Sequence, residues 1–387
     1  MTSINRKFDI IKLVESLDIP PSLYKNAVEK YTNIAHYLQS KDFAAEMYPQ
    51  GSFALGTVIR PVKNDEDANY DLDFICQVST PKENISAQEL WKRLKTVLIE
   101  SPYADKVVEY DTCFTIEYAD INNIGFSIDI VPAVDESFYE KSRLISISDN
   151  PSLINTAIAL PDHKKSKCDW LTNNPKGYRR WFEQINAPFK LFAQDEQKRS
   201  LFERNSTIYN SIEEIPDELV RSSLQRVIQI LKKHRDVYYN SIPKGDEKKP
   251  ISAILNTIVA EIAENQVPSI SVFDLLEIVL STIINKASRD EIITKENNKW
   301  VILNPANPED NLADSWDSDI YDKFVKWITI AYKDLILSQQ LEDAIFRSHI
   351  ENAFGHKFIE RHWKDKYCPI KPRPIIPNSA PKPWGQI

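Results

Sequence analysis

Three aspartates on two predicted strands are the residues of this 387-residue chain whose spacing points most directly to chemistry. Side chains in an extended strand alternate between its two faces, so Asp71 and Asp73 project to the same side. A later segment repeats the alternation, with apolar residues on one face and Asp129 on the other. If the two strands pair side by side, all three carboxylates meet at one place.

Carboxylates that converge in this way need a compensating positive charge. Two such charges repel by roughly 4 kcal/mol at ~4 Å and an effective dielectric near 20. Mg²⁺ prefers oxygen ligands, and two ions about 4 Å apart can stabilise both the attacking and the leaving oxygen of a phosphoryl displacement. We therefore predict two ions of Mg²⁺ or Mn²⁺ at Asp71, Asp73 and Asp129. The alternative is that an Asp-x-Asp pair is the solvated face of an edge strand.

A Gly-Ser pair upstream favours a phosphate site. Gly51 and Ser52 offer backbone N–H groups and a hydroxyl to a phosphate, and glycine permits close approach of the backbone. The chain has only 7 glycines, and Gly51 and Gly56 both flank the serine just before the Asp-x-Asp strand. The alternative is an ordinary turn between a helix and a strand, which the nearby aspartates make less attractive.

These residues resemble the motifs of polymerase-β-like nucleotidyltransferases, in which a Gly-Ser turn precedes an Asp-x-Asp strand and a third aspartate lies on a later strand. Within that superfamily the chain resembles the cGAS/DncV-like nucleotidyltransferases (CD-NTases) of bacterial anti-phage cyclic-oligonucleotide signalling (CBASS). The resemblance runs from about Met47 to about Trp316. It rests on residues 50–57, 59–61, 129–132, 224–236 and 304–314.

The resemblance implies metal-dependent synthesis of a cyclic di- or trinucleotide second messenger from ATP or other nucleoside triphosphates (NTPs). The product would activate a separate effector in anti-phage defence. Asp71 and Asp73 would bind the ion that accompanies the triphosphate, and Asp129 would complete the second ion site and help deprotonate the attacking ribose hydroxyl. Gly51 and Ser52 would hold the β- and γ-phosphates.

Two further nucleotide-binding residues follow from the same resemblance. Lys232 would contact the triphosphate, although Lys233 fits the alignment nearly as well and either could be an ordinary surface lysine. Ser252 would face the nucleotide, although a helix N-cap explains it almost equally well. Three aromatic residues could stack on a base, but such residues more often fill a core: Tyr178, Trp181 and Phe182.

The order of patterns predicts an α+β fold with two lobes. Strand patterns come early and helical patterns late, which favours a mixed core joined to a helical lobe, with the active site between them. The resemblance implies that these are a nucleotidyltransferase core of mixed sheet and helices and a helical domain similar to that of oligoadenylate synthetase. The predicted segments are an N-terminal helical segment bracing both lobes (1–45), the core (46–195), the helical domain (196–365) and a proline-rich tail (366–387).

Local patterns predict how two helices begin and end. Residues 22–40 form one predicted helix that Ser22 could cap, leading directly into the Gly-Ser turn with no further element between them. A second apolar stripe predicts a helix that begins at Asp217. Segments around residues 111–118 and 124–131 are expected to form a hairpin.

Composition limits the function classes. The net charge of -8, from 56 acidic and 48 basic residues, argues against a nucleic-acid activator, because phosphate contacts dominate such affinity. There is no apolar run of about 18 residues and no apolar signal core, so we expect a cytoplasmic protein with no membrane segment. Four scattered cysteines indicate neither a disulfide framework nor a zinc module.

The six prolines in residues 366–387 favour an extended tail. The resemblance suggests that this tail is a site for conjugation or for regulatory proteins, and a simple disordered end is the alternative.

Two other functions remain open at this point. One is an RNA- or protein-directed nucleotidyltransferase of the same superfamily, and the other is a catalytically inactive nucleotide-binding scaffold.

Overall fold

The computed structural model describes residues 3–43, 45–60, 62–63, 66–67, 69–121, 124–163, 168–204, 220–289, 294–296 and 299–368. Its strands are β1 (Ala45–Pro49), β2 (Val62–Lys63), β3 (Glu66–Asp67), β4 (Tyr70–Val78), β5 (Val107–Glu109), β6 (Phe114–Ile121), β7 (Ile124–Asp135), β8 (Ile158–Asp162), β9 (Asp169–Asn173), β10 (Thr294–Glu296), β11 (Lys299–Val301), β12 (Leu303–Asn304) and β13 (Asn307–Asn311).

The α-helices are α1 (Ser3–Glu15), α2 (Pro21–Ser40), α3 (Gly51–Leu55), α4 (Ala87–Ile99), α5 (Phe138–Ile147), α6 (Pro151–Ile154), α7 (Pro175–Arg204), α8 (Ser223–Asn240), α9 (Gly245–Lys248), α10 (Ser252–Ala263), α11 (Val272–Ala287), α12 (Ser318–Leu335), α13 (Asp343–Phe354) and α14 (His356–Trp363). Strands dominate the first half and helices the second, so the predicted α+β class is confirmed.

A mixed sheet in the order β1-β4-β7-β6-β5 organises the first half, and β8 and β9 extend it from β7. The central pair, β4 and β7, is parallel, whereas β6 and β7 are antiparallel, as the predicted hairpin requires. One face of the central pair is apolar and buried, with Phe74 and Ile128 fully inaccessible. On the opposite face, the first part of each strand carries polar side chains, whereas Ile75 and Val131 farther along are buried in a smaller apolar cluster.

The two largest apolar clusters of the described residues lie in different parts of the chain. One combines the buried face of the sheet with α2 and α4, and the other combines α1 with α7, α8 and the helices that follow. The N-terminal helices therefore contact both clusters, since Ile10 of α1 lies in the helical cluster and Ile34 of α2 lies in the sheet cluster. The four segment boundaries drawn from the sequence stay predictions.

The region before Gly51 differs from the prediction in two ways. The helix begins at Pro21 with Pro20 as its N-cap, so Ser22 is not the cap, and proline suits the first helical position because its missing N–H would have no partner there. The prediction of no further element before the Gly-Ser pair is wrong. The short strand β1 lies between them and pairs antiparallel with β4, where it adds an edge to the sheet.

The start of α8 is also corrected. The predicted start, Asp217, lies outside the described residues, and the helix begins at Ser223. Ser222 and Gln225 form a capping box that satisfies two N–H groups of the first turn. This cap fixes the direction in which α8 enters the molecule.

Helix α8 holds the chain segment that follows α3. Gln225 donates from Nε2 to the carbonyl of Leu55 at 2.8 Å, and Gln229 donates from Nε2 to the carbonyl of Val58 at 2.9 Å. Residues four apart share one face of a helix, so one face of α8 forms hydrogen bonds with the segment at two positions. The helical part of the chain is thereby tied to the Gly-Ser region.

The hairpin of β12 and β13 ties the two parts together on another side. Asn174 donates from Nδ2 to the carbonyl of Ala306 at 2.8 Å, and Arg143 of α5 pairs with Glu309 of β13. Within the hairpin, Asn304 donates to Asp310 at 2.8 Å. Contacts on both sides therefore fix the cleft between the sheet and the helices.

Most of the predicted tail, residues 369–387, lies outside the described residues. Its first part is packed rather than extended: Tyr367 is buried, and its hydroxyl donates to Asp9 Oδ2 of α1 at 2.5 Å. Arg347 of α13 donates to the carbonyls of Lys364 and Lys366, each at 2.7 Å. Within the described ranges, no helix is both long and apolar enough to cross a membrane.

Candidate active site

The parallel register of β4 and β7 brings the three aspartates to one face of the sheet. Asp73 lies opposite Asp129, and Asp71 lies opposite Ser127. All three side chains line a cleft of about 590 Å³ between the sheet and the helices. The same cleft contains every other residue that the sequence predicted for the site: Gly51, Ser52, Lys232 and Ser252.

Two hydroxyl groups orient the carboxylates of Asp71 and Asp129. Ser127 Oγ donates to Asp71 Oδ1 at 2.7 Å, and Thr115 Oγ1 donates to Asp129 Oδ1 at 2.6 Å. The sequence analysis missed both hydroxyls. Ser127 could have been found, because it lies two residues before Asp129 and so shares its face. Thr115 could not, because only the pairing of β6 with β7 places it opposite Asp129.

Burial and neighbouring carboxylates disfavour the charged forms of Asp73 and Asp129. Desolvation, followed by the charges of Asp129 and Asp71, raises the pKa of Asp73 to about 7, while the charge of Lys232 opposes the shift. Desolvation is also the main cause that raises the pKa of Asp129. A cation in the cleft would therefore be strongly attracted, since it would relieve charges that water solvates poorly.

The donor set fits a hard divalent cation, because it consists of carboxylate oxygens that line one cleft. The ligands are not preassembled, since among the described residues no group of three or more His, Cys, Asp or Glu is arranged to hold an ion. Asp71 and Asp129 are directed toward Ser127 and Thr115.

Gly51 is the first residue of the short helix α3, so the predicted turn is the entrance of a helix. Its φ of +60° is readily adopted by glycine, and a Cβ at this position would lie 2.8 Å from Asp73 Oδ2. The preceding N–H, from Gln50, donates to the Asp73 carbonyl at 2.8 Å. Glycine therefore allows Ser52 and the first-turn N–H groups to approach the carboxylates closely.

The structure separates the two candidate lysines. Lys232 Nζ donates to the carbonyl of Thr57 at 3.2 Å and to its hydroxyl at 3.3 Å, at the wall of the cleft. Desolvation, then the charge of Arg235, lowers its pKa to about 7. Lys233 is fully buried away from the cleft, with Nζ 4.6 Å from the centroid of the Phe358 ring. Neither residue is a surface lysine.

Ser252 begins α10 but does not cap it, since the N-cap is Ile251. Its Oγ accepts a hydrogen bond from Arg235 NH1 at 3.1 Å. Arg235 is held in turn by Asp236, with NH2 to Oδ1 at 2.7 Å. The sequence analysis missed Arg235 and Asp236, although their positions three and four residues after Lys232 place them on the same face of α8.

The three aromatic candidates have different environments. Phe182 is buried in the helical cluster, and Trp181 packs against it. Tyr178 is half-buried at the wall of the cleft, where its hydroxyl forms a 2.8 Å hydrogen bond with Thr257 Oγ1. Only Tyr178 among these three lines the cleft.

The chain is similar to several known proteins. Residues 5–186 match the SMODS family, the Second Messenger Oligonucleotide or Dinucleotide Synthetase domain. The chain is 25% identical over 327 residues to a c-di-GMP synthase of Roseivirga ehrenbergii, covering 82% of this chain and 76% of that protein. It is 23% identical over 317 residues to the cyclic dinucleotide synthase CdnG of Bradyrhizobium diazoefficiens, covering 79% and 69%. These similarities indicate a nucleotidyltransferase of the cGAS/DncV-like type.

Solved structures show the same fold for this nucleotidyltransferase. The structure of Bradyrhizobium diazoefficiens CdnG in complex with GTP matches with a TM-score of 0.65 and 20% identity, covering 92% of this chain and 97% of that one. The E. coli MS115-1 CdnC:HORMA-deltaN complex matches with a TM-score of 0.60 and 15% identity, covering 90% and 97%. The predicted core with its added helical domain agrees with these neighbours.

We expect Asp73→Asn to stabilise the nucleotidyltransferase at pH 8 in EDTA, by about 2 °C in the midpoint of thermal unfolding. The folded-state pKa of about 7 lies above the ordinary 3.8, so between these values the folded protein holds a proton that the unfolded chain has lost. The stabilising contribution of that proton is therefore lost as the pH rises through 7. The increase in the midpoint of thermal unfolding caused by Asp73→Asn should be larger above pH 7 than near pH 5.

Circular dichroism melts from pH 5 to 8.5 measure this effect. Asp105→Asn, at an exposed aspartate of the same sheet domain, is the matched control and should shift the midpoint little at any pH. An equal shift for Asp73→Asn at pH 5 and pH 8 would contradict the raised pKa.

Proposed function

We propose that this nucleotidyltransferase joins NTPs into a cyclic di- or trinucleotide that acts as a second messenger. The observation that carries the proposal is the placement of Asp73 opposite Asp129 in a cleft that also contains Gly51, Ser52 and Lys232. Carboxylates for cations and a cationic wall for phosphates are what transfer of a nucleotidyl group requires. The cyclic dinucleotide synthases among the relatives support the cyclic product.

The cations we propose are two Mg²⁺ or Mn²⁺ ions. Asp71 and Asp73 would hold both, and Asp129 would complete the second site. When bound, such ions neutralise charge on the phosphates and favour ionisation of the attacking hydroxyl.

The protein side chains divide the remaining work. Gly51 and Ser52 hold the β- and γ-phosphates through N–H groups and a hydroxyl, while Lys232 and Ser252 contact the triphosphate from the helical side. A ribose hydroxyl of one nucleotide forms a bond to the α-phosphorus of another, the bond between that phosphorus and the bridging oxygen breaks, and pyrophosphate leaves. Asp129, oriented by Thr115, accepts the proton of the hydroxyl.

Replacing Asp71 and Asp73 together by Asn should abolish nucleotide incorporation, with at least a 1,000-fold loss expected because the loss of two charges removes the proposed ion sites (about 4 kcal/mol or more). The assay resolves phosphatase-resistant products formed from radiolabelled NTPs with Mg²⁺ or Mn²⁺. Asp105→Asn is the control and should behave as the wild type. Product retained by the folded double variant would refute the assignment of the ion ligands.

A matched pair of variants tests the triphosphate contact. Lys232→Met should lower kcat/KM for the NTP about 10- to 100-fold, since a hydrogen bond to a charged group contributes about 1.5–3 kcal/mol. Lys233→Met keeps a similar buried volume away from the cleft and should leave kcat/KM nearly unchanged. Equal losses in both variants would assign Lys232 to structure rather than to substrate binding.

We further propose a role in cytoplasmic anti-phage defence of the CBASS type, in which the product activates an effector and other proteins regulate or conjugate the enzyme at its tail. The CdnC complex with a HORMA protein supports regulation by partners in such systems. A nucleic-acid activator is disfavoured by the net charge of -8.

Removing residues 369–387 tests the proposed role of the tail. Because every residue proposed for catalysis or nucleotide binding precedes the tail, the truncated protein should make product at the wild-type rate, yet it should no longer become joined to other proteins in cells that contain conjugating enzymes. Immunoblotting for higher-mass species measures this, with a scrambled 369–387 sequence as the control. Unchanged conjugation of the truncated protein would rule out the tail as the attachment site.

A further inference from the structure

One buried amide in the cleft has an unsatisfied hydrogen-bonding group. Asn256 of α10 is only 4% exposed, and it lines the cleft that holds the aspartates. Within the described residues its Oδ1 has no hydrogen-bond partner. A buried polar atom left unpaired costs about 1–3 kcal/mol, so such an atom at the wall of a ligand cleft indicates a contact that the ligand supplies.

The position of Asn256 separates it from the phosphate end of the cleft. It lies four residues after Ser252, which places both on one face of α10, about 6 Å apart along the helix axis. Two basic side chains lie near Ser252, since Arg235 NH1 donates to Ser252 Oγ at 3.1 Å and Lys232 is three residues from Arg235 on α8. Asn256 therefore lies one helical turn beyond the basic side chains of Lys232 and Arg235.

The chemistry of the free atom limits what it can bind. With the amide oriented as the structure has it, Oδ1 is an acceptor and needs a donor. Ionised phosphate oxygens are acceptors only, so they cannot satisfy it. A nucleobase can, because each base carries a donor beside an acceptor on one edge, and an Asn amide pairs with such an edge through Oδ1 and Nδ2 together.

An aromatic side chain beside Asn256 favours the base over the ribose. The hydroxyl of Tyr178 bonds to Thr257 Oγ1 at 2.8 Å and donates to the carbonyl of Ala253 at 3.3 Å. These residues of α10 flank Asn256, and Tyr178 lines the same cleft. Aromatic faces beside a polar reader are how proteins hold bases, since every base has a face that can stack.

We propose that Asn256 reads the hydrogen-bonding edge of a nucleobase bound in the cleft and so sets the base preference of the enzyme. The proposal rests on the proposed function, because it assigns a specificity residue to the same cleft. It has a directional consequence. A carboxylate at this position accepts but does not donate, and among the four bases only guanine presents two adjacent donors, at N1 and N2.

Three variants test the proposal. Asn256→Leu removes both polar atoms at similar volume, Asn256→Asp replaces the amide by an acceptor, and Asn265→Leu changes an exposed asparagine just beyond α10 as the control. Binding of each of the four NTPs, and of ATP and GTP lacking the 2′- or 3′-hydroxyl, is measured by calorimetry with Ca²⁺. In parallel, the base composition of the product is measured from an equimolar mixture of labelled NTPs with Mg²⁺.

Asn256→Leu should weaken binding of the preferred NTP at least 10-fold and reduce its advantage over the other bases by a similar factor. Asn256→Asp should shift preference toward GTP, and Asn265→Leu should resemble the wild type. A base preference unchanged in Asn256→Leu would overturn the proposal. So would a wild type without base preference, or a loss confined to discrimination of the ribose hydroxyls, which would assign Asn256 to the sugar.

The two readouts keep this inference separate from the proposed function. Binding preference remains measurable in a variant that makes no product. A thermal melt identifies any variant that fails to fold. If either Asn256→Asp or Asn256→Leu fails to fold, the other variant provides the test. If the wild type binds NTPs with a base preference lost in Asn256→Leu but makes no cyclic product, the proposed function fails while Asn256 keeps its role.

Discussion

The parallel pairing of β4 with β7 is the constraint on which the site depends. It places Asp73 directly opposite Asp129 on the polar face of a sheet whose other face is fully buried. Burial, followed by the charges of Asp129 and Asp71, raises the pKa of Asp73 to about 7, so a charged carboxylate at this position is unfavourable by itself. A protein retains such an arrangement where a cation is to be bound, and raised pKa values of this kind mark functional sites more often than structural ones.

The rest of the cleft is fixed relative to this pair by contacts from the helices. Side-chain hydrogen bonds from Gln225 and Gln229 hold the end of α3 and the segment after it. Lys232 adds a hydrogen bond to Thr57 from the same helix. Gly56 ends α3 with φ of +65°, and a Cβ there would lie 2.5 Å from Gln225 Nε2. Glycine at both ends of α3 thus permits one short helix to contact Asp73 on one side and α8 on the other, which sets the distance between carboxylates and cations.

Local periodicity made the shared face of the carboxylates, the α+β class and the cleft predictable. The alternation of side chains along the strand that contains Asp71 and Asp73 depends only on neighbouring residues. Contacts between distant segments were not predictable. Thr115 reaches Asp129 only through strand register, and the choice of Lys232 over Lys233 depends on the rotation of α8 against the sheet. The strand β1 was missed because its five residues carry no clear alternation, and the sheet edge rather than its own sequence specifies it.

The central claim is that Asp71, Asp73 and Asp129 hold divalent ions beneath a bound nucleotide. Anomalous diffraction from a crystal grown with Mn²⁺ and a non-hydrolysable NTP analogue tests it most directly. The account predicts two manganese peaks, each coordinated by aspartate oxygens and by the triphosphate. A crystal with the analogue bound and with no manganese peak near these carboxylates would contradict it.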